Sequence, residues 1–186
     1  TPGHSAFFQM RSRGGKLADI VVLVIAADQG VQPQTREAIQ HARMAKATIV
    51  VAINKIDLPG ADSEKVKQQL AQENVLVESW GGDVVSVEVS AQTGQNLNKL
   101  LEAILATAEL LELKADSEGE LEAVILESYK DPKQGAVVNC VLRNGSLRPG
   151  DEIFASGLEA KVKRITDENG ASLDLAIPSM SVSILG

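Results

Sequence analysis

Asn54-Lys55-Ile56-Asp57 follows directly on the strand-like run Thr48–Ile53. An ionised carboxylate at Asp57 can accept two hydrogen bonds side by side. Guanine offers that pair from its ring imino and exocyclic amino groups. Adenine does not, so the contact selects the base. The Lys55 stem can lie against the flat face of a base, and the Asn54 amide can tie the loop to its neighbours. Ile56 belongs to the same loop. Read in isolation, the four residues also suit an ordinary polar loop. Ser90-Ala91-Gln92 follows a further strand-like run, Val84–Val89. A backbone N–H there can donate to the guanine carbonyl oxygen. Ser90 also suits an N-cap or a turn, and the two roles are compatible. Thr1-Pro2-Gly3-His4 is a third element. Its Pro-Gly turn lets the Gly3 N–H approach a phosphate closely. His4 can then orient or polarise an attacking water; without such neighbours it reads as a solvated side chain.

These residues need a scaffold, and the hydrophobic pattern supplies one. Ile20–Ala27 is continuously apolar and predicts a strand buried on both faces. Pro33 opens a helix to about Ala45, with Ala38, Ile39, Ala42 and Ala45 at helical spacing. Thr48–Ile53 is a second buried strand. Ser63–Glu73 reads as a charged helix with Val66 and Leu70 inward, and Val84–Val89 as a third strand. Asn96–Leu113 is a long helix with Leu97, Leu100, Leu101, Ile104, Leu105 and Ala108 on one face. Such alternation predicts a doubly wound parallel sheet with helices on both faces. Ligands of open α/β sheets bind outside the carboxyl ends of the strands, where the Asn54 and Ser90 loops fall.

The pattern changes after Leu113. Residues 114–120 are polar and read as a linker. Short β-rich runs follow at Ala123–Glu127, Ala136–Leu142, Glu152–Ala155, Ala160–Ile165 and Ser181–Leu185. Asn144-Gly145 is expected to make a hairpin turn, and Pro149-Gly150 and Asn169-Gly170 two more turns. The region reads as a β-barrel or sandwich.

Composition narrows the functions. The chain has 186 residues, with 18 basic and 25 acidic side chains and a net charge of −7. A pI near 4.9 disfavours general nucleic-acid binding, DNA included. The longest apolar run is too short to span a bilayer, so no membrane partner is expected. Thr1–Gly15 is polar, unlike a signal peptide. Aromatic residues are only 3% of the chain, so the core must be aliphatic. The single cysteine, Cys140, reads as a small core residue. His41 lacks the spaced partners of a metal site. Trp80, beside Gly81-Gly82, reads as a packing anchor for the loop before the third strand.

Taken together, Thr1–His4, Asn54–Asp57 and Ser90–Gln92 resemble the third, fourth and fifth signature motifs of the translational GTPases. Phe7–Gly14, Gln34–Ala42, Trp80–Asp83 and Ala108–Ala115 are similar, within that group, to the bacterial-type initiation factor 2 family. Arg148-Pro149-Gly150-Asp151 resembles the turn of the second, barrel domain. The resemblance implies a P-loop-GTPase-like parallel sheet, incomplete in its N-terminal part, over residues 1–113. After the linker, residues 121–186 would be a truncated translation-factor barrel.

Residue roles follow from the same resemblance. Asn54, Lys55, Ile56 and Asp57 would recognise guanine of GTP or GDP, assisted by Ser90, Ala91 and Gln92. Gln92 stands where Lys is commoner. Thr1, Pro2 and Gly3 would meet the γ-phosphate, and His4 would position the hydrolytic water. Ala6–Gly15 would be a mobile switch, with Arg11, Arg13 and Lys16 facing either ribosomal RNA or solvent. No G-x-x-x-x-G-K-[ST] occurs in the 186 residues. The phosphate loop and most ligands of Mg2+ are therefore expected upstream, and GTP hydrolysis is not expected of this stretch alone. The implied whole protein promotes initiator tRNA binding to the small ribosomal subunit, using domains absent here, and hydrolyses GTP on subunit joining. Its place would be the cytoplasm, or alternatively the plastid stroma. Two other readings stay open: a non-enzymatic ribosome-docking module, or part of another translational GTPase such as a specialised elongation factor.

Overall fold

The computed structural model describes residues 18–132, 135–155 and 157–186. The chain forms two compact units that divide between Leu113 and Lys114.

The first unit is a parallel sheet with helices. Strands β1 (Ile20–Ala26), β2 (Thr48–Asn54) and β3 (Val85–Glu88) lie in the order β1-β2-β3. Both pairings are parallel, with Ile25 opposite Ile53 and Ile53 opposite Glu88. The strand ends at Ala26, Asn54 and Glu88 therefore come into line. Helix α1 (Pro33–Met44) joins β1 to β2, α2 (Ser63–Gln72) follows β2, and α3 (Leu97–Leu110) follows β3. Pro33 at the first helical position starts α1, where its missing N–H costs nothing. The Asp62 side chain caps α2 by accepting the Lys65 amide at 2.9 Å.

Period-two alternation sends Leu23, Ile25, Val51 and Ile53 to one face. There they meet Ile39 of α1 and Val66 and Leu70 of α2 in one buried core. In β2, Val50, Val51, Ala52 and Ile53 are all buried, as its unbroken apolar run predicts. Strand β1 departs from the sequence reading. Leu23 and Ile25 are buried, but Val22 and Val24 are exposed. It lies at an edge of this sheet, and among the described residues its second face is covered less fully than its first. Helix α3 departs likewise. Leu97, Leu100, Ile104 and Ala108 are half-buried, whereas Leu101 and Leu105 are 58% and 63% exposed. A helix on three strands covers a narrower stripe than its leucine pattern offers.

The second unit is all β. Strands β4 (Glu122–Asp131), β5 (Gly135–Asn144), β8 (Arg164–Thr166), β9 (Ser172–Leu173) and β10 (Ser181–Leu185) form an antiparallel sheet in the order β4-β5-β10-β8-β9. Strands β6 (Glu152–Ala155) and β7 (Leu158–Lys161) make a separate hairpin. Cys140, Leu142, Leu147, Val162, Ile165, Ala176, Val182 and Ile184 form the core. The run 160–165, expected as one strand, is two. The Val162 amide still bonds the Asp151 carbonyl beside β6, but the Lys163 amide bonds the Leu185 carbonyl of β10. The chain changes partners between those two residues.

Asn144-Gly145 is not a hairpin turn. Asn144 ends β5, whose partners are β4 and β10. Its Oδ1 accepts the Asp116 amide at 2.8 Å and its Nδ2 donates to the Glu120 carbonyl at 3.0 Å. The Gly145 amide adds a 2.7 Å bond to the Asp116 carbonyl. Gly145 has φ +69°, and a Cβ there would meet the Leu121 backbone at 2.7 Å. The polar segment 114–120 is thus fastened to the end of β5.

Candidate functional site

The ends of β2 and β3 carry the two loops singled out by sequence. After β2 the chain turns sharply at Lys55, whose φ is +65°. A non-glycine residue held there stores strain and marks a constrained loop. The constraint is visible. Asn54 Oδ1 accepts the Lys55 amide at 2.8 Å, and the Leu58 amide donates to the Lys55 carbonyl at 3.2 Å.

The second loop is a closed turn. The Ser90 amide bonds the Gln95 carbonyl at 3.1 Å, and the Gly94 amide returns to the Ser90 carbonyl at 2.9 Å. Ser90 is fully buried, and its Oγ accepts the Thr93 amide at 3.2 Å. The turn role of Ser90 is thereby satisfied within the loop. Asn96 Nδ2 donates to the Glu88 carbonyl at 2.8 Å, closing the base of the loop.

Three bonds join the loops. Asn54 Oδ1 also accepts the Ala91 amide at 3.0 Å. The Val89 amide donates to the Ile53 carbonyl at 2.8 Å, and the Ile56 amide to the Val89 carbonyl at 3.4 Å. Ile56 turns inward and packs against the core, which leaves Lys55 and Asp57 outward.

Counting donors shows what is left for a ligand. Ser90 and Ala91 have spent their amides inside the protein. The Gln92 amide has no acceptor among the described residues, and Gln92 is exposed. The Asp57 carboxylate is exposed too, with no hydrogen bond or ion pair there. An uncommitted acceptor pair and an uncommitted amide on two joined loops fit the edge of a guanine base.

Sequence reasoning missed several supports. Asp28 follows β1 and lies 4.0 Å from Lys55 Nζ. The strand-end rule that found the other loops points to it as well. Gln69 on α2 accepts the Val31 amide at 2.7 Å and braces the loop after β1. Lys67, also on α2, is buried and pairs with Glu64 at 2.7 Å and Glu88 at 2.9 Å. The hydrogen bond it donates to Glu64 outweighs the partial burial and raises the Lys67 pKa above 10.5. No sequence signal distinguishes it from the other lysines of a charged helix. Trp80 is less buried than its expected anchoring role implies. Its indole N–H reaches Glu64 Oε2 at 3.3 Å, so a polar contact does the anchoring. Thr1, Pro2, Gly3 and His4, with Arg11, Arg13 and Lys16, lie outside the described residues.

Comparison with known proteins bears on the fold and the family. The chain is 51% identical over all its 186 residues to translation initiation factor IF-2 of Francisella tularensis subsp. holarctica, strain LVS. It is 50% identical over the same span to translation initiation factor IF-2 of a Synechococcus species. It spans only 22% and 18% of those two proteins. Among solved structures it resembles GDP-bound aIF5B from Aeropyrum pernix, with a TM-score of 0.74 and 25% identity, covering 100% of this chain and 39% of that one. Elongation factor SelB from Methanococcus maripaludis in complex with GPPNHP gives 0.75 at 22% identity, over 100% and 42% of the two chains, and supports the fold. The likeness to translational GTPases, and within them to initiation factor 2, is therefore borne out. Residues 1–109 match the elongation factor Tu GTP binding domain, and the chain belongs to that family.

Proposed function

We propose that the joined loops at the ends of β2 and β3 bind the guanine base of GTP or GDP, in a chain that forms part of a translation initiation factor. The observation that carries the reading is the Asn54–Ala91 bond, which holds two loops together while Asp57 and the Gln92 amide stay free for a ligand. Asp57 accepts the imino and amino hydrogens of guanine, and the Gln92 amide donates to its carbonyl oxygen. Lys55 covers the base with its stem, steadied by Asp28. Adenine presents an acceptor and no amino group at those positions, so it leaves the Asp57 charge unpaired.

Thr1, Pro2, Gly3 and His4 serve the phosphate end, with Gly3 at the γ-phosphate and His4 on the hydrolytic water. Mg2+ neutralises phosphate charge when bound. The bacterial initiation factors to which the chain is similar support a role in bringing initiator tRNA to the small ribosomal subunit, with GTP hydrolysis on subunit joining. They also favour the bacterial cytoplasm. The division at Leu113 supports residues 1–113 as part of the GTP-binding domain and 121–186 as the barrel domain.

Titration with GDP and ADP tests the base site. GDP should bind and ADP should not, and Asp57→Ala should abolish GDP binding. No binding at millimolar GDP would refute the reading.

A further inference from the structure

We propose that Lys67 is a positioning residue for base recognition. It holds the end of β3, and with it the Ser90–Gln92 turn, where the Gln92 amide meets the guanine carbonyl oxygen. This rests on the guanine reading of the site.

Lys67 sits on α2 with its side chain only 10% exposed. A buried ammonium is costly unless carboxylates surround it at good geometry. Here Glu64 stands at 2.7 Å and Glu88 at 2.9 Å. The Glu64 and Glu88 side chains are 67% and 42% exposed, so the lysine is the most confined of the three. It therefore fixes where Glu88 can lie. Glu88 is the last residue of β3 and stands two positions before Ser90. Its backbone carbonyl takes the Asn96 side chain from the far end of the turn. Both ends of the Ser90–Gln95 turn thus converge on one residue, and Lys67 holds that residue to α2. Trp80 joins through Glu64, so the network also reaches the short 3-10 turn Glu78–Trp80. An apolar side chain could fill the same volume. The directional, two-carboxylate contact is what a positioning role adds.

Lys55 and Asp57 belong to the other loop and touch none of Lys67, Glu64 and Glu88 among the described residues; Asn54 joins that loop to the turn at Ala91, away from these three side chains. Lys67 should therefore govern one edge of the base and not the other. The probes are GDP, inosine diphosphate, which lacks the amino group read by Asp57, and 6-thioguanosine diphosphate, whose sulfur accepts hydrogen bonds poorly. Lys67→Met should weaken GDP at least about fivefold and bring the preference for GDP over the thio analogue close to one. The preference for GDP over inosine diphosphate should hold, and Lys67→Arg should recover much of the loss. A thio preference that survives Lys67→Met, or two preferences lost together, would overturn the proposal.

A readout without nucleotide separates this proposal from the reading it rests on. In Lys67→Met the Ser90, Ala91 and Gly94 amides should exchange about tenfold faster, while the Leu23 and Val51 amides keep their rates. Unchanged turn amides overturn the positioning role whatever binds. Faster turn exchange in a chain that takes up no GDP overturns the guanine reading and leaves Lys67 as the anchor of the turn.

Discussion

The side-chain oxygen of Asn54 accepts the backbone amide of Ala91 at 3.0 Å, across a separation of 37 residues. The same oxygen accepts the Lys55 amide. One side chain therefore sets the bend of its own loop and the height of the neighbouring one. Asn54→Ala removes both bonds. At about 1 kcal/mol each, the loss in the guanine site should reach about tenfold or more in GDP affinity. The unit should stay folded, because β2 is buried on both faces by Val50–Ile53. Calorimetric titration beside a circular dichroism melt checks both halves of that expectation.

On the proposed reading, Asp57 governs the choice of base. Asp57→Asn keeps the size of the side chain but replaces one acceptor with a donor. GDP should weaken by at least about 3 kcal/mol, since two charge-assisted hydrogen bonds are disturbed. Xanthosine diphosphate carries a carbonyl where guanine has its amino group, and it should bind the variant better than GDP does. Competition titrations with the two nucleotides read the reversal directly. Equal weakening of both would show that Asp57 does not face that edge.

The brace between α2 and the β1 loop makes a stability prediction. Gly30 has φ +73°, and a Cβ there would strike the Gln69 side-chain oxygen that holds the Val31 amide. Gly30→Ala therefore adds backbone strain and a lost hydrogen bond, and should cost about 2–3 kcal/mol. Leu70→Ala, in the same helix, opens a cavity at a fully buried position and should cost about 2–5 kcal/mol. Urea titrations followed by the emission of Trp80 report on the unit that holds both residues.

The Lys67 network has a pH signature. The hydrogen bond from Lys67 holds the Glu64 carboxyl below its ordinary value of 4.5. A lowered acid pKa means stability that is present above that value and lost as pH falls through the lowered one. The raised pKa of Lys67 means stability present below 10.5 and lost only above it. Trp80 emission should therefore stay constant between about pH 5 and pH 10 and shift outside those bounds. Lys67→Met should bring the acid shift to higher pH.

Cys140 makes the corresponding probe for the second unit. It is 1% exposed, and burial pushes its thiol up from 9.0 to about 11. Its ionised form is favoured in the unfolded chain, so stability falls as pH rises from 9 towards 11. The full effect is about 3 kcal/mol. A thiol reagent should label Cys140 at neutral pH only as fast as the second unit opens. Rapid labelling of the native chain at neutral pH would contradict the burial.

Local physics carried much of the reading from sequence. Ile49–Ile53 is apolar without a break because both faces of β2 are covered, and that requirement acts residue by residue. The Asn54–Asp57 and Ser90–Gln92 loops were legible for a similar reason. They begin where strand-like runs stop, and the donors and acceptors of Asn54 and Asp57 belong to the residue types. Long-range partnership was not legible. The Ile20–Ala27 run looks like another central strand, yet β1 lies at an edge and exposes Val22 and Val24. Asn144-Gly145 has the composition of a hairpin, yet Asn144 spends its amide on residues 116 and 120.

What the amino acids determined by themselves was the period of each element, the position of the loops at strand ends and the chemistry those loops hold. What only the tertiary structure decided was which amides remain free. Ser90, Ala91 and Gln92 are equal as donors in the sequence. Two become committed once Gln95 and Asn54 come within reach, and of the three only Gln92 stays open among the described residues. A hydrogen bond needs both partners within about 3 Å, and sequence spacing does not encode that distance between residues of different strands.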